Sequence, residues 1–168
     1  MPIVAGDIEF RLSGGVANAD GNASLGGVIS SEVVSAALNA LFDRVTGAEA
    51  AAGDIEYRCL YVRNTHGTLT LYAATVWIST NTPSTDTVLA IGLGTAAIAA
   101  TEQTIATEAD APVAVSFSAP ASYAAGLLIG DLAPGEYKAI WLRRTVGAGA
   151  AAYSNDGATL SVQGDTAA

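Results

Sequence analysis

The chain has 168 residues, 51% of them hydrophobic and only 14% charged, which excludes a largely disordered protein. Its formal net charge of −9 disfavours nucleic acid as a partner, because phosphate recognition needs a basic footprint. No apolar run reaches the roughly 18 residues of a membrane span, and no basic-then-apolar leader opens the chain, so neither a membrane partner nor a signal peptide is expected.

In chain order, Ile3 to Leu12 reads as a first strand with Ile8 and Phe10 on one face. Gly14-Gly15 breaks it, and Val16 to Gly27 is a loop rich in Gly, Asn and Ser. Val28 to Val45 fits two patterns. Val33, Val34, Ala37, Leu38, Leu41, Phe42 and Val45 suit a helical face, while the β-branched start suits a strand and an irregular crossing. A short helical turn is predicted over Ala48 to Ala52, closed by Gly53.

Asp54 to Asn64 is a long strand, with Ile55, Tyr57, Cys59 and Tyr61 on one face and Arg58, Leu60 and Val62 on the other. His66-Gly67 predicts a hairpin into Thr68 to Thr80. Val88 to Leu93 is a short apolar strand, Gly94 to Asp110 a helix, loop or irregular edge, and Pro112 to Ser118 a strand on its Val113, Val115, Phe117 alternation. Leu127 to Ile129 and Ala158 to Val162 are brief strands, the latter after an Asn155-Asp156-Gly157 turn.

The strongest signal is the Pro134-Gly135 turn followed by Glu136 to Thr145. Tyr137, Ala139, Trp141 and Arg143 point one way, and Lys138, Ile140, Leu142 and Arg144 the other. Neither set is purely polar, so the strand is either central and covered on both sides by its own chain or completed by another subunit. Eight or nine short strands with little helix predict an all-β, single-domain β-sandwich spanning 1–168, immunoglobulin-like or jelly-roll-like.

Catalytic chemistry is sparse. His66 is the only histidine and stands in a turn, without the elbow of a serine hydrolase. Cys59, the only cysteine, reads as a buried small hydrophobe, and one His with one Cys is too few for zinc. Asn18, Asp20 and Asn22 alternate like a calcium loop but lack its glycine and distal glutamate. Gly92-Leu93-Gly94-Thr95-Ala96-Ala97 spells a dinucleotide fingerprint without the alternating strands and helices that would confirm it. Asp54 with Glu56, and Glu108 with Asp110, read as acidic surface pairs rather than a glycosidase dyad. No enzyme, cofactor or metal is expected. The basic residues are six Arg and one Lys, and Arg is the cation favoured at interfaces, so Arg58, Arg63, Arg143 and Arg144 are the interface candidates. Tyr57, Cys59, Trp77, Tyr137 and Trp141 are the expected core or corner residues.

Gly53 to Asn64 (GDIEYRCLYVRN) and Leu132 to Val146 (LAPGEYKAIWLRRTV) resemble segments of structural proteins of tailed-bacteriophage virions. The Leu-x-Pro-Gly-x-Tyr spelling is also similar to the turn before a late strand of immunoglobulin-like sandwiches, where a tyrosine hydrogen-bonds back to the backbone. That likeness implies a corner role for Tyr137. The phage resemblance implies a non-enzymatic virion protein, made in the host cytoplasm, that decorates or cements the capsid exterior. Its partner would be the major capsid protein, and it would self-associate within the virion. The alternative it implies is a tail, collar or fibre component with a receptor- or glycan-binding surface, lined by Trp77, Tyr72 or Tyr123.

Overall fold

The computed structural model describes residues 2–166. It is an all-β sandwich of nine strands: β1 (Ile8–Leu12), β2 (Gly26–Gly27), β3 (Asp54–Asn64), β4 (Leu71–Thr80), β5 (Thr87–Leu93), β6 (Glu102–Thr104), β7 (Leu127–Leu132), β8 (Tyr137–Val146) and β9 (Thr159–Thr166). Helix is confined to short pieces, the largest being α1 (Gly47–Ala52). It opens on a Thr46–Glu49 capping box and closes at Gly53, whose φ of 80° a side chain would disfavour.

A four-stranded antiparallel sheet, β1-β3-β8-β5, packs on a three-stranded one, β7-β4-β9. The seven strands of the two sheets, counted in order, run first–second–sixth–fourth and fifth–third–seventh. An immunoglobulin constant-type sandwich runs ABED and CFG, so the two share an architecture and differ in connection. The core between the sheets holds Leu60, Val62, Ile91, Ile140 and Leu142 from one and Leu71, Val76, Ile78, Ile129 and Leu132 from the other.

Strand β8 is central and covered on both sides within the chain. Its Ile140 and Leu142 enter the inter-sheet core, while Ala139 and Trp141 enter a second core with Tyr57, Cys59, Tyr61 and Ile105. That second core is roofed by the β2-β6 ribbon and flanking loops, which bring Leu25, Ile29, Val115 and Phe117. A tripartite stack results, with the four-stranded sheet in the middle.

Three local expectations are corrected. His66-Gly67 does not make a hairpin, because β3 and β4 belong to different sheets and the chain crosses between them there. The expected turn at Pro134-Gly135 likewise carries the chain between sheets, from β7 to β8. Buried Asn64 ties both crossings together: its Nδ2 donates to the carbonyls of Leu69 at 2.9 Å and Leu132 at 2.8 Å, and its backbone carbonyl accepts from Gly135 N–H. A single polar side chain thus satisfies carbonyls that the missing hairpin ladders leave open. Residues 28–45 are neither helix nor strand apart from an isolated bridge of Val33 to Arg11. Pro112 to Ser118 is a loop with one bridge, Ser118 to Ile91, because Val115 and Phe117 pack down as roof side chains without a strand partner.

Candidate docking face

The interface candidates divide two and two. Arg58 is fully buried, so it is not available as the interface residue expected from the sequence. The inner-face end of β3 and β8 holds an ionic cluster in which Arg58 reaches Glu108, Asn22 Oδ1 at 3.0 Å and the Leu41 carbonyl at 3.1 Å. Arg144 pairs with the buried Glu56 carboxylate and donates to the Asp43 carbonyl at 2.7 Å. Phe42 stacks on both guanidinium groups, 5.2 Å from Arg58 and 4.9 Å from Arg144. Arg144 is therefore also spent internally. Burial pushes the Glu56 carboxyl up to about 7, against the opposing pull of Arg144 and Arg58. The Asp43, Glu56 and Glu108 oxygens converge, but the two arginines already supply the countercharge there, so the group does not fit a metal.

Arg63 and Arg143 lie on the outer face of the four-stranded sheet, half-buried. Arg143 stacks on Phe117 at 5.2 Å, and among the described residues neither guanidinium meets a carboxylate. Trp141, Cys59 and Tyr57 are core residues of that face, and burial raises the Cys59 thiol far out of its reactive range. Tyr137 does not act as a corner. It packs edge-on against Tyr61 at 5.3 Å, and it is the Tyr61 hydroxyl that donates to the Gly27 carbonyl and accepts from Glu102 N–H.

The fingerprint-like loop does cradle an anion, and the anion is the chain's own. Glu102 accepts from Thr95 N–H at 3.2 Å, the Thr95 hydroxyl at 3.1 Å and Ala96 N–H at 3.0 Å. Burial alone would raise its pKa, but these donors outweigh it and hold the carboxyl below its usual value. A Cβ at Gly94 would sit 2.2 Å from this carboxylate, which explains the glycine. In the Asn18–Asn22 loop, Asp20 accepts from Asn22 N–H at 2.9 Å and Asn18 ties to the Ser13 carbonyl, an ordinary set of turn bonds. His66 Nδ1 likewise accepts from Leu69 N–H at 3.0 Å within its turn.

What remains open is the outer face of the three-stranded sheet. Strand β4 sends Leu71, Ala74, Val76 and Ile78 into the core, so its alternate residues face outward. Directly opposite residues of antiparallel strands share a face, and the register sets Tyr72 beside Asp165, Thr75 between Leu128 and Gln163, and Trp77 beside Ser161. Leu128 is 61% exposed, Tyr72 42% and Tyr123 40%. Trp77, expected in the core, is instead half-buried on this face, with Tyr123 edge-on to it at 5.8 Å. Tyr72 stands roughly 15 Å further along the strand at the ordinary rise per residue. The turn at Tyr123–Ala125 packs on Trp77 and leaves Thr75 buried, but among the described residues nothing covers Tyr72 or Leu128. Aromatic rings with polar tips, a leucine, and a border of Ser79, Ser161 and Gln163 make a surface suited to docking a protein face or stacking a sugar ring.

The chain matches no family model, and comparison with curated proteins and with solved structures finds no match either.

Proposed function

We propose that the chain is a non-enzymatic structural protein of a tailed-phage virion that docks on the capsid exterior and stabilises the shell of the major capsid protein. The observation that carries the docking part is the open aromatic face of Tyr72, Trp77, Tyr123 and Leu128, on a molecule whose other broad sheet surfaces are covered by its own chain. The virion setting rests on the resemblance of Gly53–Asn64 and Leu132–Val146. A ligand that binds only the assembled lattice stabilises it by mass action.

The test mixes the purified protein with empty tailed-phage heads assembled without it and follows co-sedimentation and the heads' melting temperature. Saturable binding with a raised melting temperature, lost in a Tyr72→Ser, Leu128→Ser double variant, is the expected result. Binding that ignores the double variant would move the docking surface elsewhere. A second reading, a tail, collar or fibre component that binds glycan, draws on the Trp77–Tyr123 pair. Absence of head binding, together with retention on immobilised host-surface polysaccharide that Trp77→Ala abolishes, would decide for it.

A further inference from the structure

Sheet edges are templates for further pairing, and stable monomers cover, bend or charge them. Among the described residues, three of the four edges of the two large sheets are covered or bent in this way. The outer edge of β1 is taken by residues 30–34, through Leu12 N–H to the Glu32 carbonyl and Val34 N–H to the Phe10 carbonyl. The part of β3 beyond β1 is closed by Ser24 and Glu108, whose carbonyls accept from Cys59 and Tyr57 N–H. On β5, Ile91 exchanges both backbone bonds with Ser118. Strand β7 has an open edge, but it is short and irregular: its register on β4 shifts twice, Gly130 sits at φ 104°, and Asp131 is tied to Ala73 N–H.

Strand β9 also shifts register on β4 twice, but it is longer than β7, has no positive-φ residue of its own and no covering segment. Its eight residues, Thr159–Thr166, pair only with β4, and among the described residues no other backbone bonds to it. It contains no Pro or Lys, no residue of positive φ, and one charge, Asp165. Leu160 and Val162, its inward-facing apolar residues, are left half-buried beside that open edge.

We infer that β9 is the seam of a homodimer, in which two copies of β9 pair antiparallel about a two-fold axis at Val162. The occupant is a second copy because the strand is complementary to itself. In an antiparallel pair opposite residues share a face, so Val162 meets Val162, Leu160 meets Gly164, Ser161 meets Gln163 and Thr159 meets Asp165. The single charge of each strand then faces a threonine and never its own copy, so the chain's net charge of −9 is not concentrated at the seam. The product is a continuous six-stranded sheet, β7-β4-β9 followed by its symmetry copy, with both open aromatic faces on the same side. This inference does not depend on the virion reading.

Sedimentation equilibrium over micromolar to near-millimolar concentrations is expected to show reversible association to twice the 16.8 kDa of one chain. A Ser161→Lys, Gln163→Lys pair brings four ammonium groups together at the seam and is expected to raise the dimer dissociation constant roughly tenfold or more at low salt. Thermal melting followed by circular dichroism distinguishes loss of dimer from loss of fold. Cysteines test the register independently of folding cost. Mild oxidation of a mixture of Ser161→Cys and Gln163→Cys chains should give more covalent dimer than either variant alone, since the two positions lie opposite each other, while Cys59 is buried and does not compete. A chain that stays monomeric throughout, a dimer indifferent to the lysine pair, or equal cross-linking in all three oxidations would overturn the seam. Head binding by a strictly monomeric chain would leave the proposed function standing while removing this inference.

Discussion

The two tryptophans of this chain have opposite fates. Each sits within a long strand, on a face opposite to the inter-sheet core. Trp141 is fully buried and Trp77 is half-exposed. The difference lies in the loops and not in the strands. The four-stranded sheet receives a roof from residues 24–29 and 102–118, anchored by Cys59 N–H to Ser24, Tyr57 N–H to Glu108, the Ser13 hydroxyl to the Cys59 carbonyl and the Tyr61 hydroxyl to Gly27. On the three-stranded sheet the turn at Tyr123–Ala125 packs on Trp77, but among the described residues nothing covers Tyr72 or Leu128. Alternation along a strand therefore reports that a face is apolar, and only the distant loops decide what covers it.

The largest expected effect follows from that contrast. Truncating a buried Trp typically costs about 3 to 5 kcal/mol, so Trp141→Ala should unfold the domain at ordinary temperature or lower its melting point severely. Trp77→Ala removes a side chain already half in water and should cost about 1 to 2 kcal/mol. Denaturant titration of the two variants side by side checks this. Equal losses would mean that the two outer faces are energetically alike and that the third layer contributes little.

The closed sheet also carries an electrostatic burden that the open one lacks. Glu56 is buried at its inner face, and a carboxyl with a folded-state pKa of about 7 prefers the neutral form on folding. Its stabilising contribution is fully present below the unfolded value of 4.5 and is lost as pH rises through about 7. Each pH unit separating the folded and unfolded pKa values is worth about 1.4 kcal/mol, so wild type should lose up to about 3 kcal/mol relative to Glu56→Gln across that window. Denaturant titrations of both proteins from below the unfolded pKa to above the folded one check this. A difference between the two that is flat with pH would show that Arg144 and Arg58 hold the carboxylate charged throughout.

Much of the sandwich is legible in the sequence because its long strands carry local signals. β3 begins and ends where the pattern of Asp54 to Asn64 places it, and α1 closes at Gly53 as expected. The sheet assignment is not legible at His66-Gly67 or Pro134-Gly135, since a turn that reverses a hairpin and one that crosses between sheets use the same residues. Only the partners of Asn64, which are 5 and 68 residues away, separate the two cases. Arg58 and Arg144 read as interface arginines because their internal partners, Asp43, Glu56 and Glu108, lie on different segments. Val113 to Phe117 alternates as a strand would, yet its alternation serves a roof, with Val113 exposed to 75%. For the docking face, Tyr72 and Trp77 are visible in the sequence. Leu128 is not, because a leucine in a short apolar run carries no sign of which side meets water.

Leu128 gives the smallest expected effect on folding and the sharpest test of the open face. It lies opposite Thr75 on β7 and is already 61% exposed, so Leu128→Ser removes little buried area. Substitutions at such positions usually change stability by within about 0.5 kcal/mol. Any loss of head binding by this variant is then a loss of contact and not of structure, provided its melting temperature is unchanged. A leucine at the centre of an interface, flanked by Tyr72 and Trp77, would on truncation weaken binding by about tenfold or more, since fully desolvated anchors carry most of the energy. Unaltered binding by Leu128→Ser would place this residue at a rim or outside the contact, and would shift attention to the Trp77–Tyr123 end of the same sheet.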